Sequence, residues 1–331
     1  MRHYYLTCLK PAGTNSFRLS ATKLYNGMGG NSQNMDKKSL YAYEAREGMA
    51  FVTRDQSGAE ALIVAHIAPD GVYRSLFRNG IKPHTYLALN QFHDNLGGMF
   101  DPANLIRLVP DELIKQANWK FAEECIQEDP VWYPLGKKIC HASTYRMGPR
   151  TFQRNVLKET FGLVRLSYKE AKEFLDAFYR LFPEIGVWQS EVVKEAVDTG
   201  KLTNLLGDPR VFGRNFDESY AREIISWIPQ STVGEITHDA VDYTKRECKK
   251  RNLRVNLVSN KHDAFTTECF IQDIPEVNQI MGEGLAVKMT GRDGIEFTMR
   301  CDSQVGKNWG KYHKSKNPLG MKGYNGIEHH L

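Results

Sequence analysis

Met49-Ala-Phe-Val-Thr-Arg-Asp55-Gln-Ser-Gly-Ala-Glu60 is an apolar, strand-like run that ends on an aspartate. A second run, Leu253-Arg-Val-Asn-Leu-Val258, leads in the same way to Lys261-His-Asp263. An acidic residue at a strand end is held by a rigid scaffold yet can face a cleft. Two of them on neighbouring strands can hold a pair of divalent cations about 3.5–4 Å apart, the arrangement that clamps the attacking and leaving oxygens of a phosphoryl transfer. Between the two aspartates lies a basic stretch with helical spacing, suited to phosphate.

The chain has 331 residues, enough for a sizeable core and more than one lobe. Its 41% hydrophobic and 25% charged content is that of an ordinary globular protein. A net charge of +5 does not by itself announce a polyanion partner, but its distribution does. From Pro130 to Lys158 stand Lys137, Lys138, Arg146, Arg150, Arg154 and Lys158, with no Asp or Glu. A solvated face usually carries both signs; a one-sign block suits nucleotide or nucleic acid. The six cysteines are scattered without a C-x-x-C pair, which argues against a zinc site or disulfide framework and fits reduced thiols in a cytoplasm. No apolar run has the length of a membrane span, and the first residues carry no secretory apolar region.

Along the chain, residues 1–48 are rich in Gly, Asn and Ser, with a loop at Gly27-Met-Gly-Gly30. Phe51 to Ala68 reads as strand then helix, with Ser57 as N-cap and Glu60 closing a capping box. Residues 70–130 are helical and broken by prolines. Helices are expected over Lys137–Met147, over Tyr168–Phe182 with Pro183 as its stop, and over Val187–Ala196. Ser219–Arg251 is expected to be helical with an interruption at Pro229. Val255–Phe270 reads as a hairpin turning through Ser259-Asn-Lys-His-Asp263; a helix over 274–290 and a strand at Glu296–Cys301 follow. The tail from Lys314 looks loosely ordered.

Lys137, His141 and Tyr145 are spaced i, i+4, i+8 and so share one helix face. A cation, a ring and a phenol on one face suit a nucleoside triphosphate; the plainer alternative is a surface helix whose rings pack inward. Tyr133-Pro-Leu-Gly-Lys137-Lys-Ile-Cys-His141-Ala-Ser-Thr-Tyr145-Arg resembles the fingers-helix motif of the family A (bacterial DNA polymerase I-like) DNA polymerases. Tyr133 stands where that motif has an arginine for the outer phosphates, with Lys138 or Arg146 as candidate replacements; His141, Ala142 and Arg146 also depart from it. Asp55-Gln-Ser-Gly-Ala-Glu60 resembles the first palm motif, and Lys261-His262-Asp263 the third, with Ala264 in place of its last polar residue. Asn79-Gly-Ile-Lys-Pro-His84-Thr85 is similar to a further phosphate-side element. Arg18 with Gly30-Asn31-Ser-Gln33-Asn34 resembles a primer–template element; Leu205-Leu-Gly207-Asp-Pro-Arg210, Arg222-x3-Ser226…Gln230-Ser-Thr232 and Gly306-Lys-Asn-Trp309 match later ones. The matches run in order over about residues 14–312.

The resemblance implies an α+β fold, with a palm whose antiparallel sheet carries Asp55 and Asp263, and a helical fingers lobe. It divides the chain into palm (1–64), fingers (65–200), palm (201–312) and a flexible tail (313–331). It implies a DNA-directed DNA polymerase with two Mg²⁺ held by Asp55 and Asp263, with Lys137 as the catalytic cation. Glu60, His84, Lys137, His141 and Tyr145 would bind the dNTP, Glu60 by excluding a 2′-hydroxyl. Arg18, Asn31, Gln33, Arg222, Gln230 and His262 would bind primer–template DNA. Only about a dozen residues precede the primer–template element. The expectation is therefore a phage-type, split enzyme working in a host cytoplasm, whose separate N-terminal polypeptide supplies thumb and 3′–5′ exonuclease. Two other readings stay open: a single-subunit RNA polymerase, which Glu60 opposes, and a primer–template-binding accessory subunit, which Tyr133 and Ala264 keep alive.

Overall fold

The computed structural model describes residues 8–10, 14, 20–24, 31, 33, 35–36, 39–92, 110–116, 118–213 and 217–326. The first elements are β1 (Cys8–Lys10), β2 (Ser20–Thr22) and β3 (Met49–Gln56). Nine helices follow among the described residues: α1 (Ala59–Ile67), α2 (Val72–Arg78), α3 (Pro83–Phe92), α4 (Pro110–Leu113), α5 (Trp119–Glu128), α6 (Trp132–Thr144), α7 (Pro149–Glu159), α8 (Tyr168–Leu181) and α9 (Pro183–Thr199). The chain continues through β4 (Lys201–Thr203), β5 (Pro209–Val211), α10 (Glu218–Lys250), β6 (Val255–Lys261), β7 (Ala264–Phe270) and α11 (Ile274–Leu285). It ends in β8 (Lys288–Thr290), β9 (Glu296–Thr298), β10 (Cys301–Gly306) and β11 (Lys322–Gly323).

The site is carried by a five-stranded antiparallel sheet in the order β11-β10-β3-β7-β6. β3 is its central strand, which explains why Met49–Val52 are buried on both faces. Side chains alternate along it. Ala50 and Val52 pack with Val233, Ile236, Val277 and Ile280, from α10 and α11, in one core. Met49 and Phe51 pack with Trp309 and Met321 in another. Arg54 points to the helix side, where its guanidinium donates to the Asn278 carbonyl at 2.9 Å. Asp55, one residue on, therefore projects from the opposite face.

A larger core joins α1 to α9 with the start of α10, through Leu87, Ile139, Phe152, Phe178, Trp188 and Trp227. α8 begins with a capping box of Ser167 and Glu170 and presents Ala171, Leu175 and Phe178 inward, as its spacing predicts. Pro183 ends it and opens α9 from N1, where the missing N–H costs nothing.

Several expectations are corrected. α1 is not capped by Ser57: Gly58 is the N-cap, at φ 63°, and no side chain caps the helix. α10 runs unbroken for 33 residues through Pro229, which is buried between the two large cores. Packing on both sides there outweighs one absent backbone donor. The hairpin turn is tighter than expected, because Lys261 pairs with Ala264 and only His262 and Asp263 turn. The expected helix over 274–290 stops at Leu285. The strand expected at Glu296–Cys301 is divided between β9, which ends at Thr298, and β10, which begins at Cys301. Within the tail, Lys322–Gly323 form β11, which joins the sheet, and Asn317 Nδ2 donates to Asn308 Oδ1 at 2.9 Å.

Candidate active site

The β3–β7 register places Asp55 opposite Ala264, the residue after Asp263. The Gln56 amide donates to the Asp263 carbonyl at 2.9 Å, so the two aspartates sit at the same end of adjacent strands. On the other side of β3, Asp302 of β10 is directly opposite Asp55. Residues directly opposite on antiparallel strands point to the same face, with Cβ atoms about 4.5–5.5 Å apart. Asp302 thus joins the pair, and the Ser57 hydroxyl donates to its Oδ2. Sequence reading missed Asp302, although an aspartate inside a strand is itself a signal, since the residue is depleted there.

The Asp55 side chain opens to the cleft, yet the surrounding walls withdraw it from bulk water. That withdrawal, then Asp263 and then Asp302, raise its carboxyl to about 6, and Lys137 pulls it the other way. Carboxylates gathered in this way repel one another, and a cation between them relieves the repulsion. Oxygen donors of this kind fit a hard divalent ion, and Mg²⁺ is commonly held by one or two carboxylates together with substrate phosphates. Among the described residues no group of three or more His, Cys, Asp or Glu is arranged to enclose a metal ion.

The hairpin carrying Asp263 is anchored from below. His262 adopts φ 63°, a left-handed conformation uncommon outside glycine. Its carbonyl accepts from Thr237 Oγ1 of α10 at 2.9 Å, and Gln56 Nε2 donates to that same hydroxyl at 2.7 Å. Gln56 Oε1 is buried without a hydrogen-bond partner. Gln56 and Thr237 link β3, α10 and the turn, and their roles were not legible in the sequence.

Across the cleft, α6 begins five residues earlier than expected and adds Tyr133 to the face of Lys137, His141 and Tyr145. Lys137 and His141 are exposed; Tyr145 is half-buried and its hydroxyl donates to Glu60 of α1. The His141 and Tyr145 rings meet edge to face at 5.3 Å. His84, in the first turn of α3, lies 2.9 Å from Tyr133 Oη through Nε2. Burial, then Lys137 and Lys82, lower the His84 imidazole to about 4, so it is neutral at physiological pH. The two helices meet closely because Gly136 faces Ala88 and the His84 carbonyl. Neither candidate for the missing arginine is at hand: Lys138 is paired with Glu159, and Arg146 lies 3.7 Å from Glu218.

The other predicted residues fall elsewhere. Gln33 Nε2 donates to the Asn260 carbonyl at 2.9 Å, its Oε1 accepts from the Ala21 amide, and Asn31 Oδ1 accepts from the Gln33 amide. Gln33 therefore ties β2 to the hairpin that carries Asp263. Arg222 and Gln230 are half-buried and two turns apart on α10, so they share a face. Arg18 lies outside the described residues.

The sequence model described as DNA polymerase family A matches residues 134–311. The DNA polymerase I of Aquifex aeolicus is 22% identical over 282 residues, covering 85% of this chain and 43% of that protein. That of Geobacillus stearothermophilus is 23% identical over 264 residues, covering 77% of this chain and 25% of that protein. The chain thus spans less than half the length of these relatives. A solved structure described as the POL domain of Pol1 from M. smegmatis, in complex with DNA primer-template and dNTP, is similar with a TM-score of 0.66 and 17% identity. The similarity covers 92% of this chain and 47% of that one.

Proposed function

We propose, from the premise that this chain belongs to DNA polymerase family A, that it adds deoxynucleoside 5′-triphosphates to a primer 3′-hydroxyl under the direction of a DNA template. The observation that carries this reading is the convergence of Asp55 and Asp263 at one end of adjacent strands, with Lys137 acting on Asp55 from the facing helix. The relatives' names and the primer-template and dNTP of the similar structure support the choice of substrates.

In this reading Asp55 and Asp263 would hold two Mg²⁺, which when bound make the primer hydroxyl more acidic and neutralise phosphate charge. Lys137 balances negative charge on the triphosphate and on the leaving pyrophosphate. His84, being neutral, contributes a hydrogen bond there and no charge, and Tyr133 orients it. Tyr145 holds Glu60 in place, and the Glu60 carboxylate crowds the sugar where a ribonucleotide carries its 2′-hydroxyl. His141 lies beside the incoming nucleotide on the same face. Arg222 and Gln230, with Asn31, Gln33, Arg18 and His262, line the path of primer and template. Minor-groove acceptors vary little with sequence, so such contacts can test pair geometry on any template. Palm at 1–64 and 201–312, with fingers at 65–200, is the division we adopt. A viral origin is part of the same proposal, and its support is the departure of Tyr133, His141 and Ala264 from the family motifs.

Primer extension with Mg²⁺ tests the reading, with a polypeptide bearing thumb and exonuclease added in parallel. Wild type is expected to incorporate dNTPs in preference to NTPs. Asp55→Asn and Asp263→Asn should each lower the rate by about 10³-fold or more with an unchanged circular dichroism spectrum. Extension that survives either substitution at the wild-type rate would sink the proposal.

A further inference from the structure

The match to the family model ends at Lys311, and residues 312–326 lie beyond it. From Ser303 to Gly326 the sequence carries Lys307, Lys311, His313, Lys314, Lys316 and Lys322 and no Asp or Glu. Lys307 is engaged, its Nζ donating to the Arg46 and Met49 carbonyls at 2.6 and 2.8 Å. Lys322 stands over the Tyr312 ring at 4.9 Å. Lys311, Lys314 and Lys316 are exposed and, among the described residues, have no carboxylate within ion-pair distance. Other surface lysines are matched, Lys250 with Glu247 and Lys288 with Glu296. A solvated surface usually carries both signs, and this one does not.

The three lysines sit on a turn held by its own hydrogen bonds. The His313 amide donates to the Asn317 carbonyl at 3.0 Å, and the Asn317 amide donates to the His313 carbonyl at 2.9 Å. His313 Nδ1 accepts from the Ser315 and Lys316 amides at 3.2 and 3.1 Å. The Asn308 and Asn317 side chains exchange two hydrogen bonds, at 2.7 and 2.9 Å. At Gly320 a Cβ would stand 2.5 Å from the Gly310 carbonyl oxygen, so the two passes of chain below the turn touch. The backbone under the lysines therefore needs little further ordering when a ligand is taken up.

The place of the turn on the sheet selects its partner. Met49, Phe51, Thr53 and Asp55 alternate with Ala50, Val52 and Arg54 along β3, and so share one face. Trp309 and Met321, which flank the turn, pack on that face against Met49 and Phe51. The Trp309 ring also takes the Lys261 ammonium at 4.5 Å, from the hairpin that carries Asp263. Met49 and Phe51 precede Asp55 by about 13–20 Å along β3, at about 3.3 Å per residue. α1 and the helical lobe follow the Asp55 end of β3, so the turn lies toward the opposite end. In the reading under Proposed function, on which this inference rests, the incoming nucleotide lies between Asp55 and α6. The finished duplex then extends away from α6, across the Met49 end. We propose that Lys311, Lys314 and Lys316 form a contact surface for the phosphate backbone of that duplex, about four to six base pairs behind the primer terminus at about 3.4 Å per pair. Charge of one sign on a preformed turn suits a polyanion, and phosphate contacts of this kind hold any sequence.

The test is fluorescence anisotropy of the full chain with two primer–templates over a range of salt. One is natural DNA; the other carries uncharged methylphosphonate linkages over that stretch of both strands. The triple variant Lys311→Ser/Lys314→Ser/Lys316→Ser should bind natural DNA about ten-fold more weakly at low salt, with its thermal midpoint unchanged. Its slope of log affinity against log salt should fall by about 2–3 in magnitude, about one for each lost phosphate contact. Lys311→Arg/Lys314→Arg/Lys316→Arg should keep the wild-type slope. On the methylphosphonate DNA wild type and the serine variant should bind alike. An unchanged slope on natural DNA overturns the proposal, as does a variant that loses as much on the methylphosphonate DNA as on the natural one. Binding to phosphatidylserine vesicles that the serine variant loses, with its DNA binding intact, would assign the turn to a membrane surface and likewise overturn it. Wild type that binds neither DNA would overturn the polymerase reading as well.

Discussion

Thr237 shows how much one hydroxyl carries here. It accepts from Gln56 Nε2 and donates either to the His262 carbonyl at 2.9 Å or to its own helix at the Val233 carbonyl at 2.8 Å. Thr237→Val would leave the buried Gln56 amide without partners and release the turn that aims Asp263, a cost of about 1–3 kcal/mol. We expect kcat to fall about ten-fold with little change in KM, and Thr237→Ser to restore it; steady-state extension kinetics check both. A second prediction concerns His84. Its folded-state pKa, about 4, lies below the ordinary 6.5, so between these values the unfolded chain binds the proton first. Stability is full above pH 6.5 and declines as pH falls towards 4. His84→Asn should remove that part of the acid destabilisation, roughly 1–2 kcal/mol after allowing for the side chain's partial solvent access. Urea titrations of both proteins at pH 7 and 5 measure it. Thr237 was not legible in the sequence, because a threonine inside a long helix carries no local sign of its partners; His84 was singled out as a phosphate-side residue, but its burial and its Tyr133 partner were not.

At the scale of elements, the contact between α3 and α6 decides how the facing wall is built. A Cβ on Gly136 would lie 2.8 Å from Ala88 Cβ and 3.0 Å from the His84 carbonyl, which is backbone that cannot simply rotate away. Alanine gains about 1 kcal/mol of helix propensity, and the overpacking costs about 1–3 kcal/mol. Gly136→Ala is therefore expected to lower stability by about 1 kcal/mol and, by parting the helices, to raise KM for dNTP several-fold. Denaturant melts with nucleotide titrations check this. The stripe of Lys137, His141 and Tyr145 was readable from spacing alone, because helix geometry is local. That Tyr133 joins it was not, because the helix starts earlier than its periodicity suggests: Asp129 Oδ1 accepts from the Val131 and Trp132 amides and caps it.

At the scale of the molecule, the hairpin of β8 and β9 is tied to α1 and α2. Arg74, 2% exposed, donates to the carbonyls of Ala65, His66 and Ala68 and meets Asp293 at 2.5 Å. The His66 and Phe297 rings stack beside it at 3.9 Å. Asp293→Ala would leave the buried guanidinium with its carbonyl partners and only the longer contact to Asp70 at 3.8 Å, and we expect a loss of about 2–3 kcal/mol in urea unfolding, with Asp293→Asn recovering part of it. This clamp joins residues about 220 positions apart, and nothing near either end announces it. By itself the sequence determined the strand carrying Asp55, the second aspartate, the basic face of α6 and the mixed helix-and-sheet class, because each rests on local periodicity and residue chemistry. Only the tertiary structure decided that Asp302 stands beside Asp55, that Gln56 and Thr237 hold the turn, that α10 passes through Pro229 and that the tail returns as β11. Those outcomes depend on register and burial between segments distant in the chain, where packing free energy exceeds local preference.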